Sequence, residues 1–142
     1  MYAQKDKYLI EAEAFQFKGK WSTDRSADCM GSAMLRLNGG GSLDEQFDAL
    51  TVVNIMEEGD YNVWVRSADY DKLPGTRLFR LSVDEKPMKE SGKHGKVGFY
   101  WENAGCVQLA KKQVLLRLHD TKRNFGRCDP ILLVKGHSIN PK

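Results

Sequence analysis

Cysteine, proline and histidine are all scarce in this chain, whose 142 residues include 3 Cys, 4 Pro and 3 His. Cys29, Cys106 and Cys128 are odd in number and form no CxxC pair, which argues against zinc and against a disulfide framework. The expected state is three small, buried, apolar side chains. His94 has no second histidine at ligand spacing, and His119 falls on the outward side of its segment. No run approaches the roughly 20 apolar residues that cross a bilayer. The opening Met1-Tyr2-Ala3-Gln4-Lys5-Asp6-Lys7 lacks the apolar core of a signal peptide. The chain is therefore either cytoplasmic or an exported protein whose signal lies outside these residues. Export, to the periplasm, cell surface or medium, is the expectation.

Charge is also weak. The net charge is +3, with lysines and arginines dispersed along the chain, too mild for a nucleic-acid footprint. With 41% hydrophobic and 29% charged residues, both signs mixed, the chain suits one globular domain and not a disordered tail. Asn38-Gly39-Gly40-Gly41 is glycine-rich but no GxGxxG or helix follows, so phosphate binding is not indicated.

What is present is strand pattern. Tyr61, Val63 and Val65 alternate with Asn62, Trp64 and Arg66. Phe79, Leu81 and Val83 do the same, as do Val114, Leu116 and Leu118. Tyr8–Lys18, Ser32–Leu37, Phe47–Ile55 and Ile131–Val134 read as further strands, and Val97–Trp101 and Gly105–Leu109 as two strands bracketing a Glu102-Asn103-Ala104 turn. A helical turn fits only within Ser42–Leu50. About nine strands at roughly ten-residue spacing predict an all-β antiparallel sandwich or jelly roll. Residues 1–7 are expected to be a disordered or artificially added leader, 8–135 the domain, and 136–142 a tail or the start of a linker.

Several segments, in order, match a family pattern. Tyr8-Leu9-Ile10-Glu11-Ala12-Glu13-Ala14-Phe15 resembles the first strand of carbohydrate-binding modules of families 6 and 35. Gly59-Asp60-Tyr61-Asn62-Val63-Trp64-Val65-Arg66 is similar to their central strand. Trp101, Gly105–Leu109, Gln113–Leu118 and Asp129-Pro130-Ile131-Leu132-Leu133 follow their C-terminal half. Lys20-Trp21, Met30-Gly31-Ser32, His119-Asp120 and Gly126-Arg127-Cys128-Asp129 resemble the module appended to bacterial FAD-dependent oxidoreductase-like and polysaccharide-degrading proteins. The resemblance spans residues 8–134. It implies a galactose-binding-domain-like sandwich, tethered to a catalytic domain and holding it near poly- or oligosaccharide. It also implies one structural calcium ion between the first and last strands, held by Glu11, Glu13 and Asp129.

Read as chemistry, Glu11 and Glu13 lie two apart on an expected strand, on one face and about 6.6 Å apart. Glycosidase acid and base must flank a sugar from opposite sides, so the pair suits calcium, or surface ion pairing, better than catalysis. Sugar rings stack their C–H faces on flat aromatics while polar groups bond their hydroxyls. Candidates are Trp21, Tyr70, Trp101 and Phe125 in or beside predicted loops, with Asn124 as the polar partner. Trp101 is alternatively core, and Trp64 packs on the far sheet face. The loop Lys122–Arg127, through Arg127, can fork an acidic sugar's carboxylate or sulfate, or is simply a solvated turn. No nucleophile, base and orienter converge in the pattern. The expected function is a non-catalytic carbohydrate-binding module; an interdomain sandwich without sugar binding, and a small lyase or hydrolase, remain alternatives.

Overall fold

The computed structural model describes residues 2–4, 6–25, 29 and 33–136. Eleven strands form two antiparallel sheets: β1 (Tyr2–Gln4), β2 (Lys7–Ile10), β3 (Ser22–Arg25), β4 (Ala33–Arg36), β5 (Ala49–Asn54), β6 (Gly59–Asp69), β7 (Phe79–Val83), β8 (Lys86–Ser91), β9 (Gly98–Leu109), β10 (Gln113–His119) and β11 (Arg127–Lys135). The larger sheet has seven strands and the smaller four, ordered β5-β10-β7-β8. β11 is the spine of the larger sheet. It pairs with β6 along one edge, and with β4 and then β2 along the other. β9 and β3 lie outermost, beside β6 and β4.

Period-two patterning produces this arrangement because successive side chains point to opposite sheet faces. Tyr61, Val63 and Val65 of β6 meet Phe79, Leu81 and Val83 of β7 and Val114, Leu116 and Leu118 of β10 in one buried core between the sheets. Trp64, Leu132 and Val134, from the alternate positions, form a second cluster on the outer face of the larger sheet, with Leu9 and Trp101 against it. The β7–β8 hairpin turns on Asp84 (φ 53°) and Glu85 (φ 63°), the left-handed pair that matches strand twist in two-residue hairpin loops.

Four expectations change. Tyr2–Gln4, placed in the leader by the sequence, pairs with Lys7–Leu9 as a strand. The extended reading of Tyr8–Lys18 stops at Ile10, where Ala12–Ala14 make a 3-10 turn that buries Ala12. Glu102-Asn103-Ala104 is not a turn: β9 runs through it, and the register against β6 shifts between Val63 and Trp64, leaving Ala104 as the extra residue of a bulge. Cys106 is exposed, its thiol donating to Asn62 Oδ1 at 3.0 Å, whereas Cys29 and Cys128 are buried. Pro130 sits in β11 where the register slips between Cys128 and Ile131, a place where its missing N–H breaks no ladder. The expected turn within Ser42–Leu50 is a 3-10 turn at Glu45–Phe47. Met30, Gly31, Ser32 and the tail 137–142 lie outside the described residues.

Candidate functional site

One end of the sandwich collects the loops 37–48, 70–78, 92–97 and 120–126, and buried carboxylates tie them together. Asp120, 1% exposed, accepts from Lys20 Nζ at 2.6 Å and from the Lys122 and Asn124 amides at 3.2 and 3.3 Å. Lys20 also donates to Ser42 O at 2.8 Å. Asp69, at the end of β6, accepts from the Tyr70 and Gly75 amides through Oδ1, and from the Gly95 amide at 2.7 Å through Oδ2. Glu102 does likewise for the Gly92 and Lys93 amides. Each bond is charge-assisted, which is the stronger class, and all but the exposed one from Lys93 are partly shielded from water. Together they turn irregular chain into a fixed surface.

Phe125 crowns that surface. The residue is 46% exposed and its ring rests directly on Gly39. A Cβ at Gly39 would lie 2.7 Å from Phe125 Cε1. The Phe125 amide donates to Thr76 O at 3.1 Å, the Asn124 side chain donates to Gly75 O at 3.0 Å, and the Arg77 guanidinium lies 5.8 Å from the ring centroid. Arg123 Nε reaches Gly41 O at 2.8 Å. Arg127 Nη1 donates to Phe125 O at 2.7 Å. Asn124, Phe125 and Arg127 therefore converge, and the loop that Tyr70 opens is hydrogen-bonded to them. An exposed ring face beside fixed polar groups is what a pyranose needs: C–H faces stack, hydroxyls bond.

Two of the expected aromatics stand elsewhere. Trp21 is 3% exposed, edge-on to Phe79 at 5.5 Å, with Nε1 donating to Leu118 O. It is a core side chain and offers no face to a ligand. Its sequence neighbour Lys20 is the residue that reaches the loop end. Trp101 pairs with Arg66 across β6–β9 and packs on the outer cluster of the larger sheet, away from Phe125. Arg77, Lys20, Asp69 and Gly39 were missed as site residues. Of these, only Lys20 had a signal, lying with His119-Asp120 within the motifs of the resemblance.

At the other edge of the larger sheet, Glu11 precedes the 3-10 turn and Glu13 lies within it, so the two are not strand neighbours on one face. They do crowd Asp129. Burial pushes the Glu13 carboxyl above its ordinary 4.5, and Glu11 and Asp129 push it further. Arg25 offsets only part of this push. Glu13 Oε1 is buried without a hydrogen-bond partner. Yet Asp129 already pairs with Arg66, and among the described residues no group of three or more His, Cys, Asp or Glu is disposed to hold a metal ion.

The outer face of the smaller sheet has a recess of about 210 Å³ lined by Arg80, Glu85, Arg117 and His119. His119 Nδ1 meets Asp48 Oδ1 at 2.7 Å, and Arg117 bridges Asp48 and Glu85 at 3.4 Å each. Its charges answer one another, and its lining, which also takes in Glu45, Ser82 and Pro87, holds no Phe, Tyr or Trp. Among the described residues no helix is long and apolar enough to cross a membrane.

No family model matches the chain, and no curated protein matches it. Solved structures do. The Podospora anserina GH26-CBM35 β-(1,4)-mannanase superposes with TM-score 0.72 at 15% identity, over 97% of this chain and 29% of that one. This chain thus spans under a third of that enzyme's length. Two shorter neighbours are matched almost end to end. A family 35 carbohydrate-binding module from Clostridium thermocellum gives TM-score 0.66 at 16% identity, over 89% of this chain and 98% of that one. The C-terminal CBM6 of LamC, a laminarinase from Zobellia galactanivorans, gives 0.67 at 14% identity, over 92% and 100%. Identities this low speak to architecture alone. With sandwich, strand pairing and loop end described, the chain has the fold of family 35 and family 6 carbohydrate-binding modules.

Proposed function

We propose that this chain is a non-catalytic carbohydrate-binding module whose loop end holds an attached enzyme, or a cell surface, close to a polysaccharide. The observation that carries the reading is Phe125: a large aromatic ring kept in water on a glycine, in loops tied down by buried carboxylates. Exposing an apolar ring costs solvation free energy, and pre-ordering its loops lowers the entropy lost when a ligand docks. Both features suit stacking on a sugar. The fold match supports the same class of ligand, since the chains matched from end to end are binding modules. Polysaccharide of this kind lies outside cells, so the proposal includes export. Calcium at Glu11, Glu13 and Asp129 belongs to it too, supported by the unpartnered Glu13 oxygen, and its work there would be to neutralise charge and hold the N-terminal segment to β11.

Affinity gel electrophoresis against mannan, β-1,3-galactan, laminarin and polygalacturonate, with and without calcium, tests the reading. Retardation by at least one polymer, relieved in Phe125→Ala, is the expected result. Mobility unchanged in all of them would overturn it.

A further inference from the structure

Three arginines meet beside Phe125, and among the described residues one carboxylate, that of Asp24, is ion-paired with any of them. Arg127 of β11 and Arg36 of β4 are direct cross-strand partners, so their side chains leave the same face of the larger sheet. Arg77 approaches from the 70–78 loop, with its guanidinium over the Phe125 ring. Arg36 pairs with Asp24 at 3.1 Å. Among the described residues, Arg77 and Arg127 have no ion pair at all. Their hydrogen bonds go to Thr76 Oγ1, a weak 3.4 Å contact, and to the carbonyl of Phe125. Arg36 Nε is buried with no hydrogen-bond partner.

Like charges directly opposite on neighbouring strands repel, and a half-buried guanidinium without a counter-ion is worse placed still. The arrangement registers that cost: burial, then Arg77 and Arg36, lower the Arg127 pKa to about 10, with Asp24 opposing the shift by less. A cluster of this kind is relieved by a bound oxyanion, whose planar or tetrahedral oxygens match the guanidinium fork. The sugar-stacking ring lies within the same cluster, so the oxyanion and the ring belong to one ligand.

We propose that Arg77 and Arg127, backed by Arg36, form an oxyanion subsite that makes this protein selective for acidic glycans, whether the oxyanion is a uronate carboxylate or a sulfate ester. This deepens the carbohydrate-binding reading and rests on it. Phe125 takes the ring face, the arginines take the charge, and selectivity arises because a neutral sugar leaves the guanidiniums unanswered.

The test compares polygalacturonate, chondroitin sulfate and neutral mannan by isothermal titration at physiological salt. The wild-type chain is expected to bind at least one acidic polymer about tenfold or more tighter than mannan, about 1.4 kcal/mol. Arg77→Gln/Arg127→Gln is expected to bring that ratio within about twofold of unity while its thermal midpoint stays at or above that of the wild type. Lys111→Gln, an exposed charge elsewhere, keeps the preference. A preference that survives the double variant, or falls as far in Lys111→Gln, overturns the subsite. So does equal binding of mannan. Arginine side-chain NMR with sodium galacturonate and sodium sulfate separates this from the broader reading. Shifts at the Arg77 and Arg127 Nε signals without polymer binding would keep the oxyanion site and sink the polysaccharide role. Silence in both experiments would sink both.

Discussion

The Asp120 carboxylate and the Lys20 ammonium, 100 residues apart in sequence, meet at 2.6 Å with the carboxylate almost fully buried. Asp120 also accepts two amides of the loop that carries Phe125. Removing it strands a cation and two N–H donors at once. Asp120→Ala is expected to cost about 2–4 kcal/mol in urea unfolding and to weaken glycan retention through looser loops. Asp120→Asn, which keeps an acceptor, should cost less. An unchanged urea midpoint in Asp120→Ala would mean that the loop end is held by something else.

Phe125 and Trp21 should separate binding from folding. Phe125 is nearly half exposed and Trp21 is core. Phe125→Ala is expected to move stability by less than about 1 kcal/mol and to lower glycan affinity by about tenfold or more. Trp21→Ala is expected to lose about 3–5 kcal/mol while its folded fraction binds as before. The reverse pattern would remove Phe125 from the site.

Gly39 and Gly40 form a control pair for the same ring. Both have left-handed backbone, φ 79° and 67°, so alanine at either carries a similar backbone cost of about 1 kcal/mol. Only at Gly39 does the new Cβ collide with Phe125; at Gly40 it meets nothing within 4 Å. Gly39→Ala should therefore lose affinity much as Phe125→Ala does, and Gly40→Ala should retain it. Equal affinities in the two variants would show that ring placement does not govern binding.

The sandwich was readable because burial on one face of a sheet imposes a period of two, and β7 and β10 carry that period without interruption, while in β6 it survives in Tyr61, Val63 and Val65 although Asn62 and Trp64 are buried too. What was not readable obeys other rules. β3 reads Ser-Thr-Asp-Arg, four polar residues made into a strand by pairing with β4. The β9 bulge looks like a turn because asparagine and glycine favour both; the long partner β6 decides between them. At the loop end proposed to bind, Asn124, Phe125 and Arg127 were legible as near neighbours in sequence, on the last loop and the start of β11. That end was not legible at Gly39 and Arg77, which reach Phe125 from two other loops. Trp21 misled because its flanking Gly19-Lys20 marks a loop, whereas its side chain points inward from that loop.

Glu13 sets the acid response of the N-terminal edge. Its folded pKa lies above the ordinary 4.5, raised first by burial and then by Glu11 and Asp129. The folded chain therefore binds this proton more tightly than the unfolded one. That contribution to stability is full below the unfolded value and is lost as pH rises through the folded value. Without divalent cations, Glu13→Gln should match the wild type in mild acid and be at least as stable near pH 7, where the wild type carries the buried charge. Calcium is expected to invert the trend. An ion bound by the ionised carboxylates stabilises the folded state by mass action, so millimolar calcium should raise the wild-type thermal midpoint near pH 7. The gain should fade on acidification as protons displace the metal, and Glu13→Gln should blunt it. Calorimetric scans from about pH 3.5 to 8, in EDTA and in calcium, check both halves. A midpoint indifferent to calcium at neutral pH would leave Arg66 as the cation that serves Asp129. A Glu13→Gln protein less stable than the wild type near pH 7 in EDTA would show that the glutamate's backbone hydrogen bond outweighs its burial.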